Sequence, residues 1–406
     1  MELFYHTLGN GIRLVHHTIP GAVAHCGLII NAGSRDENNN EHGIAHFIEH
    51  MLFKGTKKRK AYHILSRLED VGGELNAYTT KEETAIHASF LKPDYEKTFE
   101  LISDIVFNSV FPEKEIEKEK DVIIEEINSY LDNPAELIFD DFEELIFADQ
   151  SIGHNILGTS AIVKSFTQKC ISEFISNNYR TDQMVFCSVG NISHEKALKL
   201  FLKHFGHIPG NRRAERVVPM WTYKPVSVVK DMETNQNHCI IGNIAYNLKD
   251  EKRLGMFLLN NILGGQGLNS RLNLSLREKK GLAYNIESSY NPYYDTGAFT
   301  IYFGTDTNCL EKSIKVVMSE LFKLRTTRLG TIQLSKAKNQ IKGYLARGYE
   351  NHESLMLGLA KSLLVFDRIE SPEETSNKIE KITSSELLDM ANEVFNPDDL
   401  STLIYK

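Results

Sequence analysis

Apolar and polar positions alternate at the start of the chain and then settle into helix-spaced stripes. Phe4–Thr7 and Ile12–His16 flank Leu8-Gly9-Asn10-Gly11. Asn-Gly between two short apolar runs predicts a β-hairpin with a two-residue turn. Ala24–Asn31 is another run of strand length. From Glu41 to Phe53 the spacing becomes helical, and a second helix is expected over Ala61–Val71, stopped by Gly72-Gly73. Glu74–Tyr78 and Thr84–Leu91 read as strands. Helices are expected over Lys92–Val110, Glu113–Leu131, Ala135–Phe147 (beyond the Asn133-Pro134 break), Ile162–Asn178 and Glu195–Phe205, with a strand at Met184–Val189. The second half repeats this plan. Strands are expected at Ser227–Asp231, Cys239–Ile244, Ala298–Gly304 and Leu400–Tyr405. Helices are expected at Arg253–Leu263, Ser270–Lys280, Asn308–Leu324, Thr331–Arg347, His352–Asp367 and Ser384–Val394.

The shared element order predicts an α+β protein of two related domains, each a mainly antiparallel sheet packed with helices. Residues 1–205 form the first domain, a polar Gly- and Pro-bearing stretch at 206–222 the linker, and 223–406 the second. Ala24-His25-Cys26 has a short echo in Asn237-His238-Cys239.

Composition narrows the class of protein. At 406 residues with 41% hydrophobic and 25% charged side chains, the chain can bury full cores without disulfide or metal staples. A formal charge of -8 argues against nucleic acid as the main partner, because phosphate binding needs a net basic face. Cys26, Cys170, Cys187, Cys239 and Cys309 show no CxxC spacing, so free thiols in a reducing compartment are expected. There is no apolar run of membrane length and no charged leader followed by an apolar stretch. A cytoplasmic protein without a membrane partner is therefore expected.

The chemistry concentrates in Glu41–Leu52, which contains His46-Phe47-Ile48-Glu49-His50. On a helix at about 100° per residue, His50 lies about 40° from His46 and Glu49 about 60° the other way, so the three share a face. Two imidazoles at i and i+4 suit a metal, and the intervening carboxylate can reach a metal-bound water. A buried carboxylate beside two imidazoles is costly unless paired or metal-bound. A third ligand is needed. The Glu-rich helix Glu113–Asn128 offers Glu119, Glu125 and Glu126, and spacing alone does not choose among them.

Together these features resemble the pitrilysin/insulinase family of zinc metallopeptidases, whose HxxEH motif inverts the HExxH order. Further segments carry the likeness. Gly72-Gly73 with Asn76-Ala77-Tyr78-Thr79 is similar to the family's GGxxNAxT strand. Arg277-Glu278-Lys279-Lys280-Gly281-Leu282-Ala283-Tyr284 is similar to its LRExxGLAY segment. The resemblance implies one Zn²⁺ per chain held by His46, His50 and Glu126, with Glu49 as general base and Glu119 supporting a ligand. It implies that Asn76 and Ala77 contact substrate, and that Arg277 and Tyr284 anchor a substrate carbonyl and stabilise charge on it. Glu136 and Asp140 match positions that hold a substrate arginine in the processing peptidases. Their other reading is a solvated acidic face with Asp141, Glu143 and Glu144. The implied activity is a zinc metalloendopeptidase cleaving short or unfolded polypeptides inside a closed chamber, each chain supplying half a clamshell. A homodimer is expected, a heterodimer with a related subunit being the other arrangement. The rival function is a non-catalytic structural subunit of the same fold.

Overall fold

A computed structural model describes residues 2–213, 221–232 and 234–406. The expected linker therefore lies outside the described residues at 214–220.

The strands in chain order are β1 (Phe4–Thr7), β2 (Arg13–Thr18), β3 (Val23–Ile30), β4 (Glu74–Thr79), β5 (Thr84–Leu91), β6 (Met184–Gly190), β7 (Ser227–Lys230), β8 (Asn237–Ile244), β9 (Ala283–Pro292), β10 (Gly297–Thr305) and β11 (Ser401–Tyr405). The helices of the first half are α1 (Ile44–Met51), α2 (Ala61–Glu69), α3 (Tyr95–Phe107), α4 (Glu113–Leu131), α5 (Pro134–Ile146), α6 (Ser160–Lys164), α7 (Gln168–Asn178) and α8 (His194–Phe205). Those of the second half are α9 (Arg253–Gly264), α10 (Leu310–Thr326), α11 (Thr331–Glu350), α12 (His352–Phe366), α13 (Pro372–Lys381) and α14 (Ser384–Val394).

The first sheet runs β1-β2-β6-β3-β5-β4 and the second β7-β11-β8-β10-β9. In the first, β2 and β6 are parallel and every other pair is antiparallel. In the second, β7 and β11 are parallel and every other pair is antiparallel. Matching β2 to β6 onto β7 to β11 in chain order reproduces both the strand order and every strand direction. The two sheets are thus one topology used twice, with β1 an addition to the first. The short echo at His25-Cys26 and His238-Cys239 falls on the equivalent strands β3 and β8.

Compact units do not follow the chain from end to end. One comprises Met1–Asn128, His154–Val217 and Arg347–Ser371; the other comprises Ser129–Gly153, Val218–Ala346 and Pro372–Lys406. Helix α12 packs on β3 and β6 of the first sheet, where Leu355, Met356, Leu359 and Leu363 bury against Val15, Ile29 and Val185. Helix α5 packs on β8 and β11, the equivalent strands of the second sheet. There Ile138, Phe142 and Ile146 bury against Ile240 and Leu403. Each unit therefore takes one helix from the other half of the chain. The opposite face of the first sheet carries the larger core, built from α1, α3, α7 and α8.

Local differences from the sequence reading have physical causes. The first hairpin closes through Leu8 N–H to Ile12 O at 2.9 Å around three residues, with Gly11 at φ +98°, not through a two-residue turn. Ile162–Asn178 is two helices, because the Thr167 hydroxyl caps the second by accepting from Cys170 N. The segment read as a helix at Ser270–Lys280 is π-helical over Asn273–Glu278, where Lys279 N–H reaches Leu274 O, five residues back. Within the expected linker, Arg213 is tied to the first unit through Asn31 O at 2.6 Å and the Asp36 carboxylate.

Candidate active site

Helix α1 starts without a capping side chain of its own, because its N-cap is Gly43 at φ +94°. A Cβ there would sit 2.5 Å from Leu157 O, so the position needs glycine for both conformation and space. Glu37 supplies the missing cap, its two oxygens accepting from Gly43 N and Ala45 N at 2.9 Å each. Burial pushes the Glu37 carboxyl up to about 6, against the opposing bonds from His42 and the two amides. Ile44, Ala45, Phe47, Ile48 and Met51 anchor the helix in the core. That leaves His46, Glu49 and His50 on the face toward β4 and α4.

The two imidazole rings stand 4.7 Å apart at 63°. Glu126 on α4 reaches both: Oε1 is 3.7 Å from His46 Nε2 and Oε2 is 3.8 Å from His50 Nε2. These separations exceed hydrogen-bond length. One ligand atom from each residue lies within 4.8 Å of the others, and no other trio of His, Cys, Asp or Glu meets this test among the described residues. Glu119, two turns earlier on α4, is buried behind His50. Its Oε1 is 2.9 Å from His50 Nδ1 and its Oε2 is 2.6 Å from Lys54 Nζ. An Nδ1–H donating to Glu119 leaves His50 Nε2 with its lone pair directed at the trio.

The electrostatics follow from this packing. Burial drives the His46 pKa down to about 4, with His50 adding to the fall and Glu119 opposing it, so the ring is neutral. Its Nδ1 is buried with no hydrogen-bond partner among the described residues. Burial opposes charge on Glu119, but the bonds from His50 and Lys54 outweigh it and the pKa falls below the usual carboxylate value. His50 moves up: burial lowers its pKa, and the bond to Glu119 together with three carboxylate charges more than reverses this. Glu49 is raised by burial and by the Glu126 charge, against Thr79 and His50. Two imidazole nitrogens and a carboxylate, backed by an acid on one imidazole, fit a tetrahedral zinc with one open position.

Substrate-side expectations divide between the units. Among the described residues strand β4 is an outer strand paired only with β5, and it packs on α1. Asn76 on it is exposed and Ala77 half-buried. Arg277 and Tyr284 lie in the second unit. The Arg277 guanidinium stacks over the Tyr284 ring at 4.6 Å, and Tyr284 is 75% exposed, so it is not a core aromatic. Glu136 and Asp140 are also in the second unit, on α5. The Tyr130 hydroxyl is 2.5 Å from Asp140 Oδ2 and 3.1 Å from the Glu136 carbonyl. The neighbouring acids are similarly engaged, Tyr405 donating to Asp141 and Tyr293 to Glu143, both at 2.6 Å. These bonds engage the carboxylates of Asp140, Asp141 and Glu143, whereas Glu136 and Glu144 are exposed.

Sequence reasoning missed Lys54 and Glu37. Lys54 follows His50 by four residues, just past the end of α1. Glu37 could have been sought because a glycine N-cap leaves helix amides unsatisfied.

Residues 13–160 match the model for Insulinase (Peptidase family M16), and residues 165–341 match that for the Peptidase M16 inactive domain. The chain belongs to the M16 insulinase family of peptidases. A Rickettsia bellii protein named a zinc protease is 34% identical over 98% of this chain and 96% of its own length. The mitochondrial-processing peptidase subunit beta of Saccharomyces cerevisiae is 30% identical over 95% of this chain and 87% of its own. A protease from Helicobacter pylori with a solved structure shares the fold, with a TM-score of 0.92 at 23% identity over 100% and 99% of the two chains. Among the described residues of this M16 chain, no helix is long and apolar enough to cross a membrane.

Proposed function

We propose that this M16 protein is a zinc-dependent endopeptidase acting on short or unfolded polypeptides. The observation that carries the proposal is the convergence of His46, His50 and Glu126 with Glu49 beside them and Glu119 behind His50. Relatives named as zinc proteases support the same reading.

His46, His50 and Glu126 would hold the metal. Bound there, zinc supplies Lewis acidity, which lowers the pKa of a water and polarises a carbonyl. Glu49, its carboxyl raised by burial, accepts the proton of the attacking water and returns it to the leaving amine. Glu119 keeps His50 in one tautomer and one orientation, and Lys54 keeps Glu119 ionised. Substrate adds to the outer edge of β4 as an extra strand, with Asn76 and Ala77 in contact, so affinity rests on backbone hydrogen bonds more than on side chains. The Tyr284 hydroxyl donates to the carbonyl oxygen as charge builds there, and Arg277 binds a neighbouring carbonyl. Glu136 and Asp140 bind arginine in the substrate. Two copies of the chain complete a chamber that admits extended polypeptides. A relative named as a subunit supports an assembly of this kind.

Mass spectrometry of products from a mixed peptide library tests the proposal, with Glu49→Gln as control. Internal cleavage that is absent in the variant is expected. Identical products from both proteins contradict it.

A further inference from the structure

The ligand side chains on α1 are held firmly, but the carboxylate between them is not. His50 is fixed by Glu119 at 2.9 Å, and the core packs His46 to 8% exposure. Glu49 is half-buried, and among the described residues no lysine or arginine pairs with it. A general base must lie at hydrogen-bond distance from its proton in a defined direction, so something has to orient this side chain.

The neighbours able to do so come from β4 and from the end of α7. Along β4, Leu75 and Ala77 pack into the core beneath α1, and strand alternation sends Thr79 to the same face. Thr79 pairs with Thr84 at the mouth of a turn that Thr80 N–H closes by donating to Glu83 O at 2.8 Å. The Thr80 hydroxyl accepts from Glu82 N and Glu83 N, so Thr79 sits on a stiff element. Tyr179, the residue after α7, enters the same core, and α7 packs on α1. Thr79 Oγ1 and the Tyr179 hydroxyl are both buried, and neither has a hydrogen-bond partner among the described residues. Buried hydroxyls in that condition are costly and call for a partner. Thr84, on the same face, is already committed to Ala32 O at 2.9 Å. Both open hydroxyls bear on Glu49. Of the groups that favour charge on its carboxylate, Thr79 is the strongest. The Glu49 charge acts in turn on Tyr179, which is 5% exposed.

We infer that Thr79 is a positioning residue for Glu49, its hydroxyl and that of Tyr179 donating to the carboxylate and holding it toward His46, His50 and Glu126. This rests on the role proposed above for Glu49. Catalytic hydrogen bonds are often loose until a site is filled, which accounts for two donors beside the carboxylate that have not engaged it. Thr79 also ends β4, so the strand that takes substrate at Asn76 and Ala77 would set the direction of the base as well.

Thr79→Val removes the hydroxyl and keeps the branched shape, and Thr79→Ser restores the hydroxyl. In zinc-loaded protein, kcat should fall about tenfold in Thr79→Val and recover to within about threefold of wild type in Thr79→Ser, with KM and zinc affinity changed less than about twofold. Tyr179→Phe should lower kcat by a smaller factor, about threefold. High-resolution crystal structures of wild type and Thr79→Val grown with zinc give a readout separate from activity. Wild type should show one Glu49 orientation with Thr79 Oγ1 at hydrogen-bond distance, and Thr79→Val a carboxylate turned away or in several orientations. An unchanged Glu49 in Thr79→Val, a loss of kcat that Thr79→Ser does not recover, or an effect on KM alone would overturn the inference. Wild type that cleaves no peptide would defeat the peptidase reading instead, and the two crystal structures would still decide what positions Glu49.

Discussion

Replacing Glu119 with alanine probes the arrangement behind the ligands. Glu119 does not belong to the trio, yet it accepts from His50 Nδ1 at 2.9 Å and from Lys54 Nζ at 2.6 Å while almost wholly buried. In Glu119→Ala, the His50 ring loses the bond that fixes its tautomer, and Lys54 loses its partner. Groups in this position typically contribute about 10- to 100-fold in metal affinity. That corresponds to about 1.4–2.7 kcal/mol at the metal. Lys54→Met should cost less, about threefold, because Glu119 still accepts from His50 and loses only part of the support for its charge. The double variant should resemble Glu119→Ala alone, since Lys54 acts through Glu119. The assay is competition for zinc against a fluorescent chelator at fixed pH, with circular dichroism to confirm folding. Affinity within twofold of wild type in folded Glu119→Ala would refute the reasoning. Additive losses in the double variant would show that Lys54 acts by another route.

Three further outcomes are expected. Gly43→Ala should destabilise the first unit by at least about 2 kcal/mol in chemical denaturation, since φ is +94° and a Cβ would meet Leu157 O at 2.5 Å. His16 is fully buried between Ser188 O and Ile192 O, with His194 edge-on, and burial lowers its pKa from 6.5 to about 4. Because the unfolded chain binds the extra proton first, stability is full above about pH 6.5 and falls by roughly 3 kcal/mol as pH drops through about 4. His16→Gln should flatten that part of the stability–pH curve, and an unchanged slope would contradict the assignment. Tyr284→Phe keeps the ring stacked under Arg277 but removes the hydroxyl. It should lower kcat about 100-fold or more with little change in KM, whereas a KM effect alone would place the hydroxyl in ground-state binding.

Much of the metal site was legible because its signal is local. His46, Glu49 and His50 sit within five residues, and helical spacing alone puts them on one face. The choice among Glu119, Glu125 and Glu126 was not, since Glu119 and Glu126 lie on one side of α4 and only the rotation of that helix against α1 sets which meets Nδ1 and which meets Nε2. The start of α1 was placed too early because Glu37, outside the periodic stretch, supplies the cap at Gly43 and Ala45. Strand β9 went unread. Its residues are largely polar, and it is held by its pairing with β10. Helix α13 was missed for a similar reason, as only Ile379 along it is buried. The crossing of α5 and α12 between the two sheets has no sequence signature. Both helices are apolar on one face, and pattern does not say which sheet that face covers.

The central claim is that three side chains hold zinc and that Glu49 moves the proton. Metal content and peptide hydrolysis measured on the same preparations of wild type and Glu49→Gln test it most directly. The account predicts about one zinc per chain in both proteins, with cleavage in wild type and at least about a 100-fold loss in the variant. Metal-free wild type that still cleaves, or full hydrolysis by Glu49→Gln, would contradict it.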